Sequence, residues 1–168
     1  GLMFNRVRHV GSVRRRASTL IGCAKCRFAM LQPVEIDPGR FCRDGQMWET
    51  RTEVSAFPRL ALEFTQGALF CRVTGRTDAR GGRSFRLAIS GEVELTCQRC
   101  MGPMRHTVEI GRTLHLARNE AELERLDALP DSDAILVGET LNLVDLVEDE
   151  VLLSLPLAAM HAEGECPV

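Results

Sequence analysis

The chain has 168 residues, of which 45% are apolar and 26% charged, and its net charge is −2. That size and composition suit one globular domain with a single sizeable core. They exclude a membrane-spanning helix, since no run approaches the roughly 20 uninterrupted apolar residues that crossing a bilayer requires. No apolar run follows the N-terminal basic residues, so a secretory signal is not expected and a cytoplasmic location is.

In chain order, residues 1–29 stand apart, with seven basic residues and no acid. Arg14, Arg15 and Arg16 lie among Gly and Ser, with no apolar period. Three readings compete: an organelle-targeting leader, a non-native extension, or an upstream start with Met30 as the natural first residue. Disorder is expected here. Residues 30–168 read as one domain and keep fourteen basic and twenty-three acidic residues, a net of −9. A body so acidic is a poor broad surface for phosphates, but would attract a basic protein.

Trp48 to Val54 predicts a short strand, and Phe57 to Leu62 a turn or short helix around Pro58. Leu69 to Thr74 predicts a strand with Cys71 and Val73 on one face. Gly81 and Gly82 mark a flexible loop over 75–83. Phe85, Leu87, Ile89, Val93, Leu95 and Cys97 then alternate with polar residues, the period of a long half-buried strand. Met104, Val108, Ile110, Leu114 and Leu116 repeat the pattern after a turn at Gly102-Pro103, so the two strands should pair antiparallel. Gly91 and Arg112 interrupt the apolar set and suggest a bulge or bend.

Asn119 to Leu126 predicts a short acidic helix. Asn142 is a good N-cap for a second helix, which Pro156 stops. Val144, Val147 and Val151 share one face of it. Asp145, Glu148, Asp149 and Glu150 are read as a solvated acidic face, and as the patch for a basic partner. The fold expected is α+β: a predominantly antiparallel sheet containing a long hairpin, with the C-terminal amphipathic helix packed on it.

Seven cysteines, an odd number in a chain without an evident secretion signal, argue against a disulfide framework and for metal ligation by closely spaced pairs. Cys97-Gln98-Arg99-Cys100 sits where the first long strand enters its turn. Two thiolates at this spacing can grip one Zn²⁺ tetrahedrally, with Gly102 helping the turn to close. Half a site is still missing. His161 and Cys166, following the helix that ends at Pro156, could complete a set of three cysteines and one histidine. Free thiols and a redox pair are the alternatives, although redox CxxC pairs usually open a helix in a thioredoxin-like unit. Cys23 and Cys26 repeat the spacing without a second pair nearby and read as coincidence. Cys42 and Cys71 read as a loop thiol and a small core residue.

Catalytic motifs are missing: there is no GxSxG, HExxH or phosphate-cradling GxxxxGK[ST]. Neither an enzyme nor a small-molecule substrate is expected. For RNA, the candidates are Arg99, Arg105 and His106 at the knuckle, with Arg76, Arg80, Arg83 and Arg86 on or beside the loop. They would form one basic edge if the loop folded toward the hairpin tip, and are scattered solvated charges otherwise. With 5% aromatics and no tyrosine, base stacking has little support, and any RNA contact should be led by phosphate.

The stretch Glu94-Leu95-Thr96-Cys97-Gln98-Arg99-Cys100 with Pro103 resembles one signature block of the YceD/DUF177 family. Leu146-Val147-Glu148-Asp149-Glu150-Val151-Leu152-Leu153-Ser154-Leu155-Pro156 with His161 and Cys166 resembles the other. Pro33-Val34-Glu35-Ile36-Asp37-Pro38 is similar to the family's opening. The resemblance covers about residues 33–168. It implies a role in the synthesis, processing or stability of 23S ribosomal RNA, with no catalytic residue established. The expectation is a non-enzymatic factor in large-subunit biogenesis. It would contact a basic large-subunit ribosomal protein or pre-ribosomal particle, with ribosomal RNA itself as a further partner.

Overall fold

The computed structural model describes residues 30–130 and 132–166, together with the backbone of Arg6–Arg8. Its elements in order are β1 (Arg6–Arg8), β2 (Glu35–Ile36), α1 (Pro38–Arg43), β3 (Met47–Glu53), a 3₁₀ turn (Val54–Ala56), α2 (Leu60–Glu63), β4 (Gln66–Thr77), β5 (Arg83–Thr96), β6 (Pro103–Ala117), α3 (Glu120–Asp127), β7 (Asp133–Leu136), β8 (Leu141–Asn142) and α4 (Leu143–Ser154). Apart from the three-residue β1, the disorder expected for 1–29 lies outside the described residues, as do Cys23 and Cys26.

Six strands form one sheet in the order β1-β3-β4-β5-β6-β7, antiparallel except for the β6–β7 pair. The expected hairpin is its spine. Ile89 faces Ile110 across it, and Cys71 of β4 faces Ile89 on the other side. Alternation sends Leu69, Cys71, Val73, Phe85, Leu87 and Ile89 to one side, where all are buried. Trp48 is fully buried on the same side. Burying one such large side chain is worth about 1.5–3 kcal/mol, so this inner face is a major source of stability. The α+β class and the mainly antiparallel sheet are as expected.

Two helices cover the inner face. Helix α1 presents Phe41 edge-on to Phe85, with ring centroids 5.7 Å apart. Cys42, expected in a loop, lies buried in this helix, its Sγ 3.4 Å from the Ser84 carbonyl oxygen. Helix α4 buries Leu143, Val144, Val147 and Val151. The Asn142 cap is as expected: its Oδ1 accepts from the N–H of Val144 at 3.1 Å. The same oxygen accepts from the N–H of Val34 at 3.0 Å, which ties β2 to β8 in a small second sheet.

Neither Gly91 nor Arg112 marks a bulge. The ladder runs unbroken through Gly91 to Leu69 on one side and Val108 on the other. Glycine is needed there for another reason: a Cβ would lie 2.1 Å from the Ala68 carbonyl oxygen. Arg112 stays in register opposite Leu87 and reaches α4 instead.

Candidate metal centre

Strand β5 ends at Thr96, and Cys97 to Gly102 turn the chain into β6. The Cys97 N–H donates to the Gly102 carbonyl at 2.9 Å, and the Met101 N–H to the Cys97 carbonyl at 2.9 Å. The left-handed residue that lets this turn close is Met101, at φ 60°, not Gly102. The folded turn brings Cys97 and Cys100 to one side.

The tail comes to meet them. Beyond α4 the chain runs back along the knuckle, where the Gln98 N–H donates to the Ala159 carbonyl at 2.8 Å. The His161 N–H points at Cys97 Sγ, 3.5 Å away. A turn from Ala162 to Glu165, with Gly164 at φ 85°, then returns Cys166 to the cluster. The ligand atoms of Cys97, Cys100, His161 and Cys166 all lie within 4.8 Å of one another. His161 Nδ1 is 3.4 Å from Cys100 Sγ and 3.8 Å from Cys166 Sγ. A tetrahedral Zn²⁺ with ordinary bond lengths would need sulfur–nitrogen edges of about 3.5 Å and sulfur–sulfur edges of about 3.8 Å. The donor set fits.

Polar groups around the site support that use. His161 Nε2 lies 3.1 Å from the Pro103 carbonyl oxygen, an acceptor that fixes the tautomer leaving Nδ1 free to ligate. Backbone N–H groups of Cys100 first, and of His161 and Arg99 behind it, outweigh desolvation and hold the Cys97 thiol down at about 5. The Gly102 N–H lowers Cys100, but desolvation and the neighbouring sulfurs of Cys97 and Cys166 raise it on balance. His161 is raised, mainly by Cys166 and then Cys97. Sulfurs this close cannot all hold charge without a cation between them.

Other expected site residues fall differently. Arg99 is exposed, and its guanidinium turns back onto its own chain. Its Nε donates to Cys166 Sγ at 3.1 Å, and its Nη2 donates to the carbonyls of His161 and Ala162 at 3.0 and 3.1 Å. It straps the tail to the knuckle. Arg83 and Arg86 leave β5 on opposite faces, since Phe85 and Leu87 are buried and Arg86 is exposed. Arg83 rests against Gly39 of α1. The loop and the knuckle cap opposite ends of β5, which at about 3.3 Å per residue puts them roughly 40 Å apart. Arg83, Arg86, Arg99 and Arg105 therefore do not form one basic edge.

The acidic helix face needs the same correction. Glu148 is 1% exposed and Glu150 6% exposed. Glu148 Oε1 accepts from the backbone N–H groups of Arg59 at 2.6 Å and Leu60 at 3.3 Å, fastening the start of α2 to α4. Glu150 lies 3.3 Å from Arg112 Nη1, and desolvation raises its carboxyl pKa despite that guanidinium. Buried carboxylates with such partners are structural. Asp145 and Asp149 remain exposed, Asp149 paired with Arg59. Sequence reasoning missed Arg59 and Arg112 as partners of these acids, because nothing local marks a contact across so many residues.

A hairpin knuckle and a C-terminal tail that jointly supply three thiols and an imidazole define a small α+β protein with a Cys/His centre. A family model described as "Large ribosomal RNA subunit accumulation protein YceD" matches residues 85–168, from the third residue of β5 through all four ligands. The chain belongs to this family. A curated relative of the same description, from Haemophilus influenzae, is 32% identical over 77 residues, which is 46% of this chain and 44% of the relative. The match thus spans less than half of that relative. No solved structure matches. Among the described residues, no helix is long and apolar enough to cross a membrane.

Proposed function

We propose that the chain is a non-catalytic factor, working in the cytoplasm, that supports accumulation of 23S ribosomal RNA during large-subunit assembly. Residues 30–168 act as its working unit. Cys97, Cys100, His161 and Cys166 hold a structural Zn²⁺, and the ion fixes the tail against the hairpin tip. What results is a rigid docking surface for a basic ribosomal protein or a precursor particle. The observation that carries this reading is the meeting of four ligand atoms within 4.8 Å, from segments sixty residues apart, inside the span matched by the family. With four protein ligands, a zinc site is closed and serves structure.

The contact surface moves from the acidic face, half of which is buried, to the tail and knuckle. Met101, Leu153, Leu157 and Met160 are more than half exposed there, with Asp145, Asp149, Glu163 and Glu165 exposed along the same elements. Exposed apolar anchors with acidic neighbours suit a basic partner.

Depleting the protein in cells should lower 23S RNA relative to small-subunit RNA, and a Cys97→Ser, Cys166→Ser variant should fail to restore it. Unchanged RNA, or full rescue by that variant, would reject the proposal. The depressed Cys97 thiol favours a second reading, thiol-redox chemistry. Cys97 is fully buried, however, and a thiolate is equally what a metal ligand needs. Rapid alkylation of Cys97 in the zinc-loaded protein would favour redox; protection by metal favours the clasp.

A further inference from the structure

Helices α1 and α4 cover the inner face of the sheet. Residues of β4 and β5 on the other face are exposed in alternation, among them Arg72, Arg76, Arg86 and Ser90. We infer that the loop-proximal half of this open face binds the phosphate backbone of RNA through Arg76 and Arg86, with Arg72 beside them. The inference rests on the family reading for its choice of polyanion, and it assigns a surface distinct from the knuckle and tail.

Register places the three arginines together. Arg86 stands opposite Thr74, midway between Arg72 and Arg76 on the neighbouring strand. Diagonal neighbours of this kind are about 7–8 Å apart, so three long side chains can reach successive phosphates of one strand. Among the described residues, Arg76 and Arg86 have no ion-pair partner. Arg72 is held in place, its Nε 3.0 Å from Glu49 Oε1 and its guanidinium 5.3 Å from the Phe70 ring centroid. The nearest loop acid, Asp78, is occupied, because its Oδ1 accepts from the N–H groups of Arg80 and Gly82, both at 2.8 Å.

Shape agrees with charge. Next to the arginines the face carries Ala88, Gly111 and Thr113, and a Cβ at Gly111 would meet nothing within 4 Å. These small side chains let a backbone approach the arginines. Guanidinium groups add the planar fork that matches phosphate oxygens. Toward the knuckle the same face turns acidic at Glu92, Glu94 and Glu109, which confines the strand to the loop-proximal half. Arg83, on the inner face, and Arg99, in the knuckle at the far end of β5, take no part.

The test is binding of a fluorescent single-stranded RNA 20-mer to the full chain at several salt concentrations. Residues 1–29 add basic charge of their own, so the readout is the difference between two charge-matched variants. Arg76→Glu with Arg86→Glu should weaken binding at least tenfold and flatten the salt slope by about 1.4, the value for two lost phosphate contacts on a single strand. Arg40→Glu with Arg43→Glu, on α1 across the sheet, should change affinity less than twofold. Both variants should melt within a few degrees of the parent. Equal weakening in the two variants, no weakening in the first, or no binding by the parent would overturn the inference. So would polyglutamate displacing the RNA at equal charge, which would give the face to an acidic protein. None of these outcomes bears on whether zinc clasps the tail or whether 23S RNA falls on depletion, so the two readings fail separately.

Discussion

The two ends of the β5–β6 hairpin are held by different physics. At the loop end, Phe41, Phe85, Trp48 and Leu114 are all but fully buried, and closure rests on apolar area. At the knuckle end, the tail is held by Arg99, by backbone hydrogen bonds and by three thiols around one imidazole. Apolar burial is always available to the chain. A cluster of thiols becomes an attraction only when a cation sits among them. One end of the molecule should therefore be autonomous and the other conditional.

That contrast can be broken most sharply by removing metal. Chelation, or Cys97→Ser, should strip hydrogen-exchange protection from residues 157–166 while leaving the fluorescence of the buried Trp48 unchanged. Simultaneous loss of both would mean that the knuckle is part of the core. The next largest effect belongs to the autonomous end. Leu87→Ala empties a fully buried site and should cost about 2–5 kcal/mol in denaturant unfolding, with zinc stoichiometry unchanged. Glu148→Ala tests the buried acid that joins α2 to α4. It leaves two backbone N–H groups without their acceptor and should cost about 1–3 kcal/mol in the same experiment. A near-zero cost would return Glu148 to the surface patch. The smallest effect is expected from Asn142→Ala, which removes the cap of α4 and the acceptor of the Val34 N–H and should lower stability by about 1–2 kcal/mol.

Strong periodicity was readable without coordinates. The alternation through Phe85–Cys97 and Met104–Leu116 named the hairpin and its buried face, and Asn142 with Pro156 bracketed α4. The candidate metal set was legible too, because CxxC spacing at a turn leaves half a coordination sphere unfilled and the tail carries matching ligands. Elements with almost no local signal stayed hidden. Strand β7 has four half-buried or exposed residues, and β2 and β8 have two residues each, held by the long-range bonds of Asn142. Glu148 reads as solvated because a run of three adjacent acids normally is, whereas the N–H groups that donate to it lie nearly ninety residues earlier. For Arg99, a sequence does not show that the guanidinium turns back onto its own tail.

The proposed clasp requires a metal that joins the hairpin tip to the end of the chain. X-ray absorption at the zinc edge tests it most directly. One zinc per chain is expected, with three sulfurs at about 2.3 Å and one nitrogen at about 2.0–2.1 Å, and loss of one sulfur in Cys166→Ser. A zinc-free protein, or a sulfur count unchanged by Cys166→Ser, would contradict it.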